Sequence, residues 1–433
     1  MKNEKIEKLF SRISTTSTAE SFLDRRIEFK ESKTYRSNGH KEESKFSTPY
    51  EKDKQKVLYS ALAVETALLG WKRISPIGGG FANLGNTCFL NSVLQCLTYT
   101  SPLVNFLLSK EHSQRCRITG FCAFCELERL IPQAFSSNKS VAYPKNIAYN
   151  IKAIGKQFRH GRQEDAHEFL RYLIDSLQKS FLASCNAQGA DFKVKETSLL
   201  YQIYSGLFES SVTCLSCKHV SRTTETWLDI SLEIKNADSI EKALRHFTSA
   251  ERLSSANKYK CDSCHSHVEA TKRILLQRLP PIVTIHLKRF TVTHKVGKFV
   301  SFPQTLDMRA FCTAQCSAGA SSLYELYAVL VHQGNSCGSG HYYAFVKASN
   351  GCWYLMNDSC VSQVSIDTVL KQHAYILFYS KKVNAPVGEK RLLPSDEEQN
   401  QQVSAKDQDK QREKKLNRID EFVGTCMWNV ECI

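Results

Sequence analysis

The stretch NLGNTCFLNSVLQCL, Asn83 to Leu97, sets a cysteine directly after Gly-Asn-Thr and directly before an apolar run. Asn86 and Thr87 are good helix N-cap residues. Phe89, Leu90, Val93, Leu94 and Leu97 then recur at helical spacing, so one face is built for burial. Cys88 falls in the first turn, where unpaired backbone N–H groups and the helix dipole favour a thiolate. Taken alone, Cys88 reads equally as a small buried hydrophobe, as free cysteines often are. A nucleophilic thiol needs a base beside the sulfur and a polar group that orients the base. His341, in GNSCGSGHYYAFVK, is the candidate base: it follows a glycine-rich loop and opens a strand. Asn357 and Asp358 close a further strand, CWYLMNDS, and a hairpin of the two strands would bring Asn357 next to His341.

A second chemistry is written in cysteine pairs. TCLSCKH gives Cys214 and Cys217, and KCDSCHS gives Cys261 and Cys264. CxxC spacing lets two thiolates on one turn face a common centre, and two such knuckles complete a closed tetrahedral zinc site. A redox CxxC or two unrelated buried pairs are the alternatives, and two matched knuckles in one β-rich region weigh against both. The gap of 43 residues between the knuckles is long for a free-standing zinc ribbon. Strands, or an insertion such as DSIEKALRHFTSAERL, must separate the halves. A third pair, Cys122 and Cys125 in GFCAFCE, lies downstream of His112 and Cys116. That spacing permits a second zinc site, although buried core thiols are the simpler account.

These residues need elements to hold them. Residues 1–55 are mixed-charge and rich in Ser and Thr, and are expected to be disordered. Residues 56–78 form a lead-in, with a helix expected over KVLYSALAVETALLGW. From Gly79 to about residue 185 the pattern is helical; DAHEFLRYLIDSLQKSFL puts Phe169, Leu170, Leu173 and Leu177 on one face. Strand-like runs follow: PPIVTIHLKRFTV, YELYAVLVHQG, HYYAFVKA and AYILFYS. Residues 381–433 read as a polar, mostly disordered tail with a short element near RIDEFVGTCMWNV. The expected class is α+β, a helical lobe followed by a β-rich lobe.

Composition narrows the context. No run of some 18 apolar residues is present, and MKNEKIEKLFSRISTT lacks the apolar core of a secretory signal. We expect an intracellular, soluble protein without a membrane partner. In that setting 17 cysteines point to metal ligands and catalytic thiols rather than disulfides. The net charge is +15; residues 1–78 carry +5 of it and residues 381–433 carry none, so the middle holds +10. A basic surface suits acidic partners such as nucleic acid, and is equally often a solubility feature.

Together the motifs resemble the ubiquitin-specific protease family. GGGFANLGNTCFLNSVLQCL looks like its cysteine box, and GHYYAFVK with WYLMNDS looks like its histidine box. GRQEDAHEFL resembles the family's QQDAHEF segment, with Glu164 in place of the second glutamine. LKRF and VSFP also match, and the likeness runs in order from about Gly79 to Ser380. LSKEHSQRC and the cysteine box look closest to the nucleolar-type members. The resemblance implies a papain-like fold with a helical thumb, a β-rich palm and zinc-tipped fingers over about residues 205–275. It implies Cys88 as nucleophile, His341 as base and Asn357 as the residue orienting the imidazole, with Asp358 sharing that task. Asn83 would donate to the oxyanion. Ubiquitin's basic, glycine-ended tail calls for carboxylates, and Asp165 and Glu168, at i and i+3, are the candidates. Their bland alternative is a solvated helix face. His167 between them reads as structural.

The implied activity is hydrolysis after the terminal glycine of ubiquitin through a thioester, with one structural zinc and no organic cofactor. The implied partner is ubiquitin, with the chain a monomer and nuclear or nucleolar residence favoured. A catalytically dead ubiquitin-binding module would lack the nucleophile or base, and both are present. A zinc-dependent nucleic-acid binder would show interleaved aromatic and basic residues. IHLKRFTVTHKVGKF has a little of that, but inside a family motif.

Overall fold

A computed structural model describes residues 57–136, 140–290, 294–319, 322–336 and 339–382. The segments expected to be disordered, 1–55 and the tail from 383, lie outside the described residues, as does the element near RIDEFVGTCMWNV. Lys381, the first residue of the expected tail, instead ends a strand. No helix among the described residues is long and apolar enough to cross a membrane.

The helical lobe centres on the helix Cys88–Thr98, in which every residue is buried. The apolar face expected from spacing is therefore only part of it. One side packs on the helix Ala166–Ser184 and another on the strand Ser339–Lys347, and a helix covered all round tolerates no solvated face. The lead-in differs more. In place of a regular helix over residues 56–71, one α-turn at Ala61–Ala63 runs into a π-helical stretch, Val64–Leu68. Side chains of the helix Ser101–Ser109 draw off the carbonyls that would continue it. Asn105 Nδ2 donates to Leu68 O and Gly70 O, at 2.8 and 2.7 Å, and Ser101 Oγ donates to Leu69 O.

The β-rich lobe is built on an eight-stranded sheet. Its path runs Cys360–Val364, Trp353–Asn357, Ser339–Lys347, Leu323–Ser336, Ala374–Lys381, Ile282–Leu287 and Ile230–Leu232, with Thr305–Asp307 paired on the start of Leu323–Ser336. Only the last pair on that path, Ile230 beside Ile285, is parallel. Alternation by two sends Ile376 and Phe378 into the helical lobe's core and Leu377 and Tyr379 into a second core on the other face. Burial on both faces explains why these strands read as unbroken apolar runs. The Arg289 of LKRF is 1% exposed and donates to the carbonyls of Ala374, Val296 and Lys298 at 2.6–2.9 Å. It ties an irregular segment to the sheet.

A separate four-stranded sheet, Val220–Trp227, Gly206–Cys214, Ala270–Arg278 and Glu251–Leu253, carries the first knuckle at its far end. Between the two knuckles the chain returns to the palm through Ile230–Leu232 and the helix Ile240–Phe247. That excursion accounts for the long gap.

Candidate active site and metal centres

Cys88 is the first residue of its helix and 3% exposed. Thr87 stands at the cap position, but its hydroxyl does not cap. It accepts from Leu84 N at 2.8 Å and donates to Asn83 Oδ1 at 3.3 Å, tightening the loop instead. The first-turn N–H groups are thus left without a capping side chain, which keeps their partial positive charge directed at the sulfur. Asn86 is likewise no cap: its φ is +55°, following Gly85 at +93°, and its Nδ2 donates to Gly161 O at 2.9 Å.

His341 feels Cys88 more strongly than any other group and meets Asn357 Oδ1 through Nε2 at 2.6 Å. An amide oxygen only accepts, so Nε2 carries a proton and Nδ1 is left for the thiol. The pairing follows from the hairpin register, in which Ala344 faces Met356 and Lys347 faces Trp353. Cys88 is the largest influence on the imidazole and raises its pKa to about 9; burial opposes it and the bond to Asn357 adds to it. His341 therefore stays protonated through neutrality. We expect kcat/KM to fall above pH of about 9, where the proton for the leaving amine is lost. Asn357→Ala removes a bond that favours the charged form, so it should move that limb to lower pH. A limb that stays put in the variant's pH–rate profile would assign it to another group.

Asp358 does something different from the expected sharing of the imidazole. Its Oδ2 accepts from Asn83 Nδ2 at 2.9 Å and its Oδ1 from Asn91 Nδ2 at 2.8 Å. Its φ of +48°, in the turn joining Trp353–Asn357 to Cys360–Val364, aims the carboxylate at the cysteine loop rather than at His341. Asn83 Oδ1 accepts from the N–H groups of Gly85 and Thr87, both at 3.1 Å, which fixes the amide orientation. Asn83 is exposed and one Nδ2 hydrogen is spent on Asp358, leaving the other free.

Gly80 lets these two segments meet. Phe81 N donates to Asp358 O at 2.8 Å, and a Cβ on Gly80 would lie 2.3 Å from that same oxygen. Gly80→Ala should force the Asp358 turn away, destabilising by roughly 1–3 kcal/mol and lowering turnover; thermal denaturation and kcat together check this.

Two positioning residues escaped the sequence reading. Asn91 is 1% exposed, and an amide three residues after Cys88 in an apolar run was the clue. Gln163 sits in a loop with no periodicity to reveal it. Its Nε2 donates to Gly340 O and its Oε1 accepts from Gly340 N, both at 3.0 Å, directly before His341.

Asp165 and Glu168 do not share a helix face as expected. Asp165 is the N-cap of Ala166–Ser184, where its Oδ1 accepts from Glu168 N at 2.9 Å and its Oδ2 from the Tyr375 hydroxyl at 2.6 Å. A carboxylate placed before a helix satisfies an orphan N–H, which draws Asp165 out of helical geometry. Glu168 is exposed and accepts from Gln157 Nε2 at 3.1 Å. His167 bonds Asp229 Oδ2 at 2.9 Å and stacks on His286 at 3.7 Å, a half-buried network consistent with a structural part.

The four finger cysteines converge, with all four sulfurs within 4.8 Å of one another. Cys214 to Cys264 and Cys217 to Cys261 are each 3.8 Å, the edge of a tetrahedron with Zn–S near ~2.3 Å. The knuckles repeat each other: Lys218 N and His265 N donate to Cys214 O and Cys261 O, and both residues have positive φ. The donor set fits a structural zinc. His112, Cys116, Cys122 and Cys125 also gather, in the helical lobe.

A helix-mouth thiol paired with an imidazole that an asparagine holds, in a two-lobed fold, defines the class of papain-like thiol proteases. The ubiquitin carboxyl-terminal hydrolase family model matches residues 79–379, and the chain belongs to that family. Human ubiquitin carboxyl-terminal hydrolase 42 is 44% identical over 79% of this chain, which spans 25% of that protein's length. Probable ubiquitin carboxyl-terminal hydrolase 16 of Schizosaccharomyces pombe is 42% identical over 73% of this chain and 70% of its own. Among solved structures, Ubp8 in the SAGA DUB module bound to monoubiquitin superposes with a TM-score of 0.63 at 29% identity, covering 71% of this chain and 70% of that one. The ubiquitin-specific protease fold expected from the motifs is the fold observed.

Proposed function

We propose that this chain removes ubiquitin from its conjugates by thiol catalysis at Cys88. The observation that carries the reading is His341 held by Asn357 at 2.6 Å with Cys88 as the strongest influence on its charge, and the Asn83 amide fixed beside them by Asp358. The thiolate attacks the carbonyl carbon of ubiquitin's terminal glycine, and the free Asn83 Nδ2 hydrogen meets the developing oxyanion. His341 gives its proton to the departing lysine amine, leaving a thioester on Cys88. It then takes a proton from water as water attacks, and the glycine carboxylate and the Cys88 thiolate are released.

In the tail channel, exposed Glu168 is the carboxylate open to a basic tail. Asp165, with both oxygens engaged, holds Tyr375 and the helix start. Zinc at Cys214, Cys217, Cys261 and Cys264 supplies a structural cross-link and no chemistry. The charge of +15 supports nuclear or nucleolar residence and accessory contact with nucleic acid as parts of the same reading, with the chain acting as a monomer.

The test uses the full chain with two probes, ubiquitin bearing a C-terminal fluorophore and ubiquitin ending in an electrophile. Fluorophore release and a covalent adduct mapped to Cys88 are expected. Neither signal from folded, zinc-loaded protein would overturn the reading.

A further inference from the structure

His112 lies in the short helix Glu111–Arg115, which Cys116 ends; Cys122 precedes the helix Ala123–Ala134 and Cys125 is in its first turn. One ligand atom from each lies within 4.8 Å of the others. The Cys116 and Cys122 sulfurs are 3.8 Å apart, far beyond a disulfide bond of about 2.05 Å and equal to the S–S edge around a zinc ion. His112 Nε2 stands 3.2 Å from Cys122 Sγ, a few tenths short of the N–S edge of about 3.6 Å that zinc–ligand lengths set.

The geometry points to a second structural zinc site, His112–Cys116–Cys122–Cys125, in the helical lobe and separate from the fingers. Packing alone explains this histidine poorly. His112 is 2% exposed, its Nδ1 has no hydrogen-bond partner and its Nε2 faces sulfur. Three thiolates and a neutral imidazole bound through Nε2 are a complete tetrahedral set for Zn²⁺. The ring is already aimed. It stacks on Phe124 at 4.8 Å, and the backbone N–H groups of His112 and Ser113 are held by Glu128 at 3.2 and 3.1 Å.

The site has a mechanical consequence. The helix Ala123–Ala134 starts at the metal ligands, and its last carbonyl, Ala134 O, accepts from Gly79 N at 2.8 Å. Zinc would thus fix the near end of the helix whose far end seats the loop leading to Cys88.

The test counts metal, which does not depend on whether Cys88 is active. Full chain produced in zinc-supplemented medium should hold two zinc equivalents by native mass spectrometry and elemental analysis. Cys122→Ser and Cys264→Ser should each hold one. Because Cys122→Ser could fail to fold, the wild type is also alkylated before and after chelation. Cys116, Cys122 and Cys125 should react only afterwards. One equivalent in the wild type overturns the proposal whatever the thiol map shows, as do two equivalents retained by folded Cys122→Ser.

Discussion

Cys88→Ala is expected to cut release of a fluorophore from ubiquitin on the order of 10⁶-fold, the size seen when a triad loses its nucleophile. The fold should survive. Cys88 is the first helical residue, where alanine is acceptable, and its hydroxyl-bearing neighbour Thr87 keeps its bonds to Leu84 and Asn83. Ubiquitin should still bind, because the variant removes one sulfur and no surface. A second readout separates lost chemistry from lost structure. Cys88 is the largest influence holding His341 near about 9, so its removal should let the imidazole titrate closer to the ordinary 6.5. The sign is fixed: the lost partner favoured the charged form. Turnover within tenfold of wild type would sink the assignment of the nucleophile.

Asp358→Ala carries the next largest expected effect, a loss of 10²–10³-fold in kcat, the usual cost of one oxyanion donor. The effect runs through Asn83, which is held to Asp358 at 2.9 Å. Without the carboxylate its amide can turn away. Combining Asn83→Ala with Asp358→Ala should then cost about what Asn83→Ala costs alone, since both remove one function. Losses that multiply in the double variant, together with a shifted alkaline limb, would instead place Asp358 on the imidazole. Stability has its own marker: Asn91, buried, would lose its 2.8 Å acceptor, at about 1–3 kcal/mol. Asp358→Asn accepts from only one of the two amides and should fall between wild type and alanine.

Much of this was legible in the residues, for particular reasons. Cys88 and His341 each sit where a change of periodicity meets a glycine-bearing loop, and the hairpin register of two recognisable strands then dictates that Asn357 reaches His341. The finger cysteines declare themselves because CxxC spacing is itself a geometry. What stayed hidden depends on contacts between segments far apart in the chain. Asp358 lies 267 residues from Asn91, and Gln163 lies 177 from Gly340; no local pattern encodes either pairing. Asp165 was misplaced because a carboxylate at a helix start looks the same in sequence whether it lies inside the first turn or caps it. The lead-in was expected to be a plain helix because its apolar residues recur at helical spacing. Asn105 and Ser101, from the helix Ser101–Ser109, pull its carbonyls out of register.

The contact between Gln163 and Gly340 has a meaning beyond anchorage. A glutamine carboxamide is a peptide-like group on a tether, able to set an N–H donor and a C=O acceptor side by side. Gln163 offers both to the N–H and C=O of Gly340, as a residue of a neighbouring strand would. The helical lobe thereby lends the palm a single surrogate β-residue at the edge where the His341 strand would otherwise stand open. Glutamate there would keep the acceptor and lose the donor, and a carboxylate would be set against the Gly340 carbonyl. Two lobes that share no strand are thus stitched by a side chain imitating backbone, and the stitch lies one residue from the catalytic imidazole.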